Sequence, residues 1–212
     1  MPRLLDLFTG TGSVARVARE MGYEVRTLDI DPRCKPDICI DVLKFDYRAY
    51  PVGYFDVIWA SPDCRTFSQA RRSNLGRLVN GEICTQETLD RDLSNQGLPI
   101  LRQTEAIIDY LQPRAYFIEN PATGAMKNYI TGRDVYTFDY CMYGFLYRKR
   151  THIWSNLKLE SQLCDGSHKV NGRHPMTAIG TSKTQKGQGG GDSKAERHAI
   201  PPDLVIYLLN QH

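Results

Sequence analysis

The alternation of apolar and polar positions along the chain predicts an α/β fold with a mostly parallel sheet. Short apolar runs rich in β-branched residues are typical of strands buried on both faces, and the segments between them have helical spacing. The predicted strands cover residues 4–8, 23–28, 37–40, 55–60, 115–118, 135–142 and 147–154. The predicted helices cover residues 13–21, 98–111 and 200–209. This order of elements predicts a doubly wound sheet.

The first predicted strand leads directly into a glycine-rich turn. The residues Gly10-Thr11-Gly12-Ser13-Val14-Ala15 fit the pattern G-x-G-x-x-G/A, in which the glycines allow a tight turn and close approach to a ligand. Asp29 closes the second strand, about 20 residues later, at the spacing of a carboxylate that binds a ribose hydroxyl. The combination favours an adenosine-bearing ligand and does not separate NAD from S-adenosylmethionine. A glycine turn in an unrelated α/β protein is the alternative.

A cysteine follows the fourth predicted strand, residues 55–60. The strand is succeeded by Ser61, Pro62, Asp63 and Cys64, and ligands of open α/β sheets bind at the carboxyl ends of the strands. Cys64 is therefore a candidate nucleophile. The alternative is a small buried apolar side chain, which is the usual role of a free cysteine.

Two carboxylates also lie at the ends of predicted strands. Glu119 follows the strand at residues 115–118, where a buried charge is costly unless it has a partner or a chemical role. It is a second functional candidate, or else a cap for a helix after Pro121. Asp41 follows the strand at residues 37–40, and it either binds an adenine amino group or caps the next turn.

Arginines concentrate in two further places. Alternation along residues 147–154 predicts that Arg148 and Arg150 share one face of a strand, opposite Lys149. The polar segment at residues 65–96 is long enough to be either a functional loop or a disordered one. Its arginines suggest phosphate contacts, although a solvated surface explains any single arginine equally well.

The bulk composition narrows the class of protein. The chain has 212 residues, 41% of them hydrophobic, and a net charge of +3, which fits one globular domain that is mildly basic. None of the six cysteines forms a C-x-x-C pair, so no zinc ribbon or thioredoxin-like site is predicted. No signal peptide and no apolar run near the ~20 residues of a membrane span is present. We expect a reduced, intracellular, soluble protein that is not secreted and has no membrane partner.

Residues 156–195 show no regular alternation of apolar and polar positions. The glycine-rich tract at residues 187–191 predicts flexibility. The pentapeptide Cys164-Asp165-Gly166-Ser167-His168 is also found in a family of iron–sulfur proteins. Such a cluster needs four ligands, and no cysteine lies between Cys141 and Cys164. We therefore expect a polar loop here and no metal site.

Five segments together resemble the DNA (cytosine-5)-methyltransferase family. Residues 6–12 look like its D-L-F-x-G-x-G motif, residues 61–68 like P-P-C-x-x-F-S, and residues 117–121 like F-x-E-N-V. Residues 148–150 look like the end of Q-x-R-x-R, and residues 198–201 look faintly like N-A-V-P. The resemblance covers residues 3–155 and the C-terminal helix, with the motifs in the family's order.

The resemblance implies a Rossmann-like fold that binds S-adenosylmethionine and transfers its methyl group to C5 of a cytosine flipped out of DNA. Residues 1–155 and 196–212 would form the catalytic domain, and residues 156–195 a short, flexible target-recognition region. Cys64 would add to C6 of the base, Glu119 would bind N3 and the amine, and Arg150 would bind O2 with Arg148 beside it. The implied cofactor residues are Phe8, Gly10, Thr11, Gly12, Ser13, Asp29, Ile30, Asp41 and Pro62. The implied DNA contacts are Arg65, Ser68, Arg71 and Arg72.

Three departures from the family motifs keep other functions open. Asp63 replaces the second proline of P-P-C, Leu146 replaces the glutamine of Q-x-R-x-R, and His198 replaces an asparagine. An acid beside a thiol works against the thiolate. The alternatives are a tRNA cytosine-5 methyltransferase, a catalytically silent protein that binds DNA or a partner enzyme, and an NAD-dependent oxidoreductase. The compact size hints at a phage or viral enzyme and favours a monomer.

Overall fold

The computed structural model describes residues 1–79, 81–167, 169, 173–175 and 198–212. Nine strands lie in this part of the chain: β1 (Arg3–Leu7), β2 (Glu24–Asp29), β3 (Ile38–Cys39), β4 (Val57–Ala60), β5 (Leu78–Val79), β6 (Glu82–Ile83), β7 (Ala115–Pro121), β8 (Asp134–Asp139) and β9 (Arg150–Ser155). The α-helices there are α1 (Ser13–Glu20), α2 (Gln86–Asp92), α3 (Leu98–Leu111) and α4 (Pro202–Leu209).

Seven of the strands form one sheet in the order β3-β2-β1-β4-β7-β9-β8. The first five strands in this order run parallel, whereas β9 is antiparallel to both of its neighbours. The chain moves outward from β1 through β2 to β3, and then crosses back to β4 on the other side of β1. The order therefore reverses between β1 and β4, and ligands of open α/β sheets bind at such a reversal, beyond the carboxyl ends of the strands.

Successive residues of the central strands point to opposite faces of the sheet and build two cores. Leu4, Val57 and Trp59 belong to one core, which also contains side chains of α1 and α4. Leu5 and Ile58 belong to the other core, which contains side chains of α3. Because both faces are covered, the central strands read as nearly continuous apolar runs. The predicted doubly wound sheet is confirmed.

The segment at residues 65–96 is not the irregular loop expected from its polar sequence. It contains short 3₁₀ turns, the hairpin β5–β6 and the helix α2, and a π-helical turn at Leu93–Gly97 continues into α3. Gly97 is required at that turn, because a Cβ atom there would lie 2.3 Å from the hydroxyl oxygen of Thr66. The segment is thus packed against the turn that follows Cys64.

Two other predictions about strands need correction. The strand predicted at residues 135–142 ends at Asp139, and a 3₁₀ helix at Tyr140–Tyr143 follows it. The last strand begins only at Arg150, so Arg148 precedes it and strand alternation does not govern its direction.

Much of the proposed recognition region, including the glycine tract at residues 187–191, lies outside the described residues. Every helix in the described part of the chain is too short or too polar to cross a lipid bilayer.

Candidate active site

The turn after β1 is held against the end of β2 by backbone hydrogen bonds. The N–H groups of Phe8 and Thr9 donate to the carbonyl oxygen of Leu28, at 2.8 and 3.1 Å. Gly10 and Gly12 have φ angles of 50° and 72°, a conformation that glycine adopts without strain. A Cβ atom on Gly12 would meet no atom within 4 Å, so the turn borders open space. A ligand can therefore approach this backbone closely.

Asp29 fixes the glycine turn from the end of β2. Its carboxylate accepts hydrogen bonds from the backbone N–H groups of Gly10 and Asp31, both at 2.9 Å. The neighbouring Ile30 is an apolar residue that is 67% exposed. Asp41 follows β3 and accepts a hydrogen bond from the N–H of Leu43, so it caps a 3₁₀ turn. The structure thus brings an acid, an apolar surface and the glycine turn to one edge of the sheet.

The C-terminal segment joins the same turn. The N–H of Ile200 donates to the hydroxyl of Ser13 at 3.2 Å. Thr11, two positions before Ser13, is exposed. Burial raises the pKa of Asp63, but hydrogen bonds from Arg65 and the charge of His198 outweigh burial and lower it overall. The C-terminal segment therefore reaches the glycine turn through Ser13.

Asp6 is a buried acid beneath the turn that the sequence reasoning did not single out. It is 2% exposed, and it accepts a hydrogen bond from the hydroxyl of Thr9 at 2.8 Å. Burial, helped by the charge of Asp29, raises the pKa of Asp6 to about 7 in spite of the hydrogen bond from Thr9, which lowers it. Its place as the first residue of the D-L-F-x-G-x-G motif was the available signal.

Cys64 lies just beyond β4, where the chain enters a 3₁₀ turn. The N–H of Ser61 donates to the carbonyl oxygen of Leu7 at 3.3 Å, which holds the start of this loop beside the end of β1. Burial raises the pKa of the Cys64 thiol, and the negative charges of Glu119 and Asp63 raise it further. The charge of Lys149 lowers it. The thiol is therefore predominantly protonated at neutral pH.

Glu119 projects from β7 and is 6% exposed. One carboxylate oxygen, Oε1, accepts hydrogen bonds from the hydroxyls of Thr151 and Tyr140, at 2.6 and 3.0 Å. Burial and the charge of Glu119 hold the pKa of Tyr140 well above its ordinary value, so this hydroxyl stays protonated. The sequence predicted Glu119 but not its two hydroxyl donors, which come from other elements.

Asn120 connects β7 to the loop that carries Cys64. Its side-chain amide donates to the carbonyl oxygen of Pro62 at 3.1 Å. Its own carbonyl oxygen, Oδ1, is buried and has no hydrogen-bond partner in the described part of the chain. Buried polar atoms are normally paired, so this oxygen is an exception in the described part of the chain.

The basic residues Arg148, Lys149 and Arg150 are not arranged as strand alternation predicted. Arg150 binds the buried carboxylate of Asp139 through two hydrogen bonds, at 2.9 and 2.8 Å, and Arg148 is exposed before the strand. Lys149 was predicted to face away from these arginines, and its Nζ lies 4.7 Å from the centre of the Tyr140 ring. It is also the cation that acts on Cys64, a role the sequence analysis did not foresee.

The arginines after Cys64 border a cavity of about 560 Å³, between the Cys64 turn, the hairpin β5–β6 and α2. Arg65 pairs with Asp63, and Arg71 pairs with Asp92, both at 2.5 Å. Ser68 also lines the cavity, whereas Arg72 is exposed. The predicted contact residues are therefore close to Cys64 in the chain, and two of them are already neutralised by acids.

Two solved methyltransferase structures share this fold. EhMeth of Entamoeba histolytica superposes with a TM-score of 0.53 over 77% of this chain, which spans 57% of that protein, at 12% identity. A protein of an E. coli prophage, assigned as a DNA modification methyltransferase, superposes with a TM-score of 0.51 over 100% of this chain and 70% of its own, at 14% identity. These likenesses confirm the Rossmann-like methyltransferase fold.

The sequence has a nearer relative. It is 38% identical over 218 residues to a probable DNA (cytosine-5)-methyltransferase of Frog virus 3 (isolate Goorha), and the match covers 98% of this chain and 99% of the relative. The chain therefore belongs to the DNA (cytosine-5)-methyltransferase family, which confirms the predicted family. No protein-family profile matches the chain.

Proposed function

We propose that this chain transfers a methyl group from S-adenosylmethionine to C5 of a cytosine flipped out of DNA, through a covalent bond between Cys64 and C6 of the base. One observation carries the proposal. The glycine turn, the Cys64 loop and Glu119 lie at the carboxyl ends of the adjacent strands β1, β4 and β7. The proposed reaction needs a methyl donor, a nucleophile and a proton donor close together. This shared edge of the sheet would bring them together.

The residues around the glycine turn fit the adenosine part of the donor. Asp29 would accept hydrogen bonds from the ribose hydroxyls, Ile30 would contact one face of the adenine, and Asp41 would accept from the adenine amine. The open space beside Gly12 leaves room for a ligand to lie close to the backbone of the turn. Phe8, Thr11, Ser13 and Pro62 would complete the wall of this site. When bound, S-adenosylmethionine supplies an electrophilic methyl group on a sulfonium sulfur.

Cys64 must lose its proton before it can attack, since the thiolate is the nucleophile. The charge of Glu119 opposes this step, because it raises the pKa of the thiol. Net transfer of the Cys64 proton to Glu119 removes that obstacle. It creates the thiolate and, at the same time, a neutral carboxylic acid, while Lys149 stabilises the new negative charge.

The protonated Glu119 then assists the base. Hydroxyl donors hold its Oε1, so Oε2 is the oxygen that donates to N3 of the cytosine. The thiolate would form a bond to C6, electron density would move to C5, and C5 would take the methyl group from the sulfonium sulfur, whose bond to that methyl group breaks to leave S-adenosylhomocysteine. Loss of the C5 proton to a base reforms the ring double bond and expels the Cys64 thiolate. Splitting the reaction in this way replaces one difficult step with easier ones.

The DNA would lie against residues 65–96 and the basic residues before β9. A stacked cytosine cannot reach Cys64, so the base must be flipped out of the duplex. Arg65 and Arg71 would exchange their acidic partners for phosphates, Arg72 and Ser68 would bind phosphates directly, and Arg150 with Arg148 would bind the O2 edge. Residues 156–195 would supply the target recognition, and residues 1–155 with 196–212 the catalytic domain of a monomer.

The proposal is tested by methyl incorporation from radiolabelled S-adenosylmethionine. Unmethylated duplex DNA, tRNA and buffer alone would be compared, followed by digestion and identification of 5-methylcytosine. We expect 5-methylcytosine in DNA with the native chain and none with Cys64→Ala, which should still bind the donor. Product in tRNA alone would contradict the DNA substrate, and no product in either would indicate a silent protein.

A further inference from the structure

Two cysteines and a histidine come together outside the proposed active site. The sulfur atoms of Cys141 and Cys164 and a ring nitrogen of His174 all lie within 4.8 Å of one another. Cys141 belongs to the buried 3₁₀ helix after β8, whereas Cys164 and His174 belong to the segment beyond β9. From this cluster we propose that the chain binds one Zn²⁺ ion through these three side chains, with water in the fourth position.

The donor atoms suit Zn²⁺ in kind and in spacing. Thiolate sulfur and imidazole nitrogen are the usual ligands of Zn²⁺, at about 2.3 and 2.0–2.1 Å respectively, in a tetrahedral arrangement. Those bond lengths place a sulfur and a nitrogen ligand about 3.6 Å apart. The distance from the Cys164 sulfur to Nε2 of His174 is 3.4 Å. Little movement is therefore needed to bring these two atoms to the same ion.

The backbone beneath the cluster is ordered by hydrogen bonds to the edge strand β8. The N–H of Gln162 donates to the carbonyl oxygen of Thr137, and the N–H of Asp139 donates to the carbonyl oxygen of Gln162, both at 3.0 Å. The N–H of Cys164 donates to the carboxylate of Asp139 at 2.9 Å. Cys164 is thus held beside Cys141 by the fold itself, and the site does not depend on a mobile thiol.

The site was not predicted because its ligands have no motif spacing. The sequence analysis weighed His168 with Cys164 and expected no metal, but the structure places His174 against Cys164, ten positions along the chain. Cys141 approaches from a different element. The pairing of β8 with the returning segment brings Cys164 beside the element that carries Cys141.

The ion would fasten the segment beyond β9 to the catalytic core. Asp139, which receives the N–H of Cys164, also binds Arg150 through two hydrogen bonds. A bound ion would therefore stabilise Asp139, the residue that binds Arg150. Metal binding of this kind contributes to folding. Binding of Zn²⁺ itself does not depend on the proposed methyl transfer.

The test is the metal content of the full chain, purified under reducing conditions from zinc-supplemented cells and measured by plasma mass spectrometry. We expect one Zn²⁺ per chain, and a loss of nearly all of it in Cys141→Ser, Cys164→Ser and His174→Gln. Cys39→Ser is the matched control, since Cys39 is exposed and outside the cluster; it should retain the ion.

Substitution of Co²⁺ for Zn²⁺ decides the question even if a variant fails to fold. The native chain and Cys64→Ala should both show the visible absorption of a tetrahedral Co²⁺ centre with thiolate charge-transfer bands. Absence of those bands from the native chain, or less than a tenth of an ion per chain after Zn²⁺ is added, would overturn the proposal. A disulfide between Cys141 and Cys164 in the reduced preparation would overturn it as well.

Discussion

The side-chain amide of Asn120 donates a hydrogen bond to the carbonyl oxygen of Pro62, 58 positions away, at a distance of 3.1 Å. The bond is buried and joins the end of β7 to the loop that presents Cys64. Because Glu119 is the preceding residue, this contact helps to hold the loop of the proposed nucleophile beside the strand of the proposed proton donor.

We expect Asn120→Ala to reduce kcat more than tenfold, because the loop of Cys64 loses this positioning contact. Leaving the Pro62 carbonyl unpaired should also lower the free energy of unfolding by about 1–3 kcal/mol. Methyl-transfer kinetics and urea unfolding measure the two effects separately. Asn128→Ala, at an exposed position beyond β7, should change neither. A kcat within twofold of the native value would show that Asn120 does not position the loop.

Glu119→Gln should have opposite effects on catalysis and on the resting thiol. The glutamine keeps an oxygen for Thr151 and Tyr140 but cannot take up and return a proton, so methyl transfer should fall on the order of 10²-fold. Loss of the negative charge lowers the pKa of Cys64, so its alkylation by iodoacetamide at neutral pH should become faster. Peptide mass spectrometry resolves Cys64 from the other cysteines. Glu24→Gln, on the exposed side of β2, should leave both rates unchanged.

The two Glu119→Gln readouts must move in opposite directions for the proton-transfer proposal to stand. A fall in both rates would indicate a structural role for Glu119, and no change in either would remove Glu119 from the site.

Lys149→Gln should slow the alkylation of Cys64 several-fold at neutral pH. The charge of Lys149 lowers the pKa of this thiol, so its removal raises the pKa and reduces the thiolate fraction. A pH profile of alkylation should therefore shift to higher pH, and Lys149→Arg should restore most of the native profile. Exposed Cys39 in the same sample is the internal control. An unshifted profile for Cys64 would contradict the role of Lys149.

Asp6 should make the protein less stable as the pH rises from about 4 to about 7. Burial raises its pKa in the folded state to about 7, above the value near 3.9 of an unfolded chain. Between those values the folded state binds more protons, so the free energy of unfolding falls with increasing pH, by on the order of a few kcal/mol in total. Asp6→Asn, which keeps an acceptor for Thr9, should flatten this slope in urea unfolding at pH 5, 6 and 8.

Exposed Asp134→Asn is the control for Asp6 and should keep the native slope. An Asp6→Asn variant with the same slope as the native protein would show that Asp6 does not hold a proton in the folded state.

Local signals were enough to predict most of the sheet and the residues at its carboxyl edge. The apolar runs that became β1, β4 and β7 are buried on both faces, and the turn at Gly10 and Gly12 requires positive φ angles that glycine readily adopts. Such features depend on neighbours in sequence. The sequence around each strand therefore predicts both the strand and the residue that follows it.

Features that depend on distant packing were missed. Lys149 acts on Cys64, and Thr151 and Tyr140 hold Glu119, because β9 pairs with β7 and β8 pairs with β9 in the folded sheet. The polar segment after Cys64 lacks strong periodicity, and its helix α2 is stabilised by a capping box at Thr85 and Thr88. The capping box is a local signal, but no local pattern encodes the contacts across the sheet or the cysteine and histidine cluster.

Covalent capture tests the proposed chemistry most directly. A duplex with 5-fluorocytosine at the target position cannot lose a C5 proton, so the enzyme that has attacked C6 and transferred its methyl group stays attached. We predict a stable protein–DNA adduct that requires S-adenosylmethionine, with the cross-link on the peptide containing Cys64 and no adduct in Cys64→Ala. An adduct on another residue, or methylation of ordinary DNA without any captured intermediate, would contradict the account.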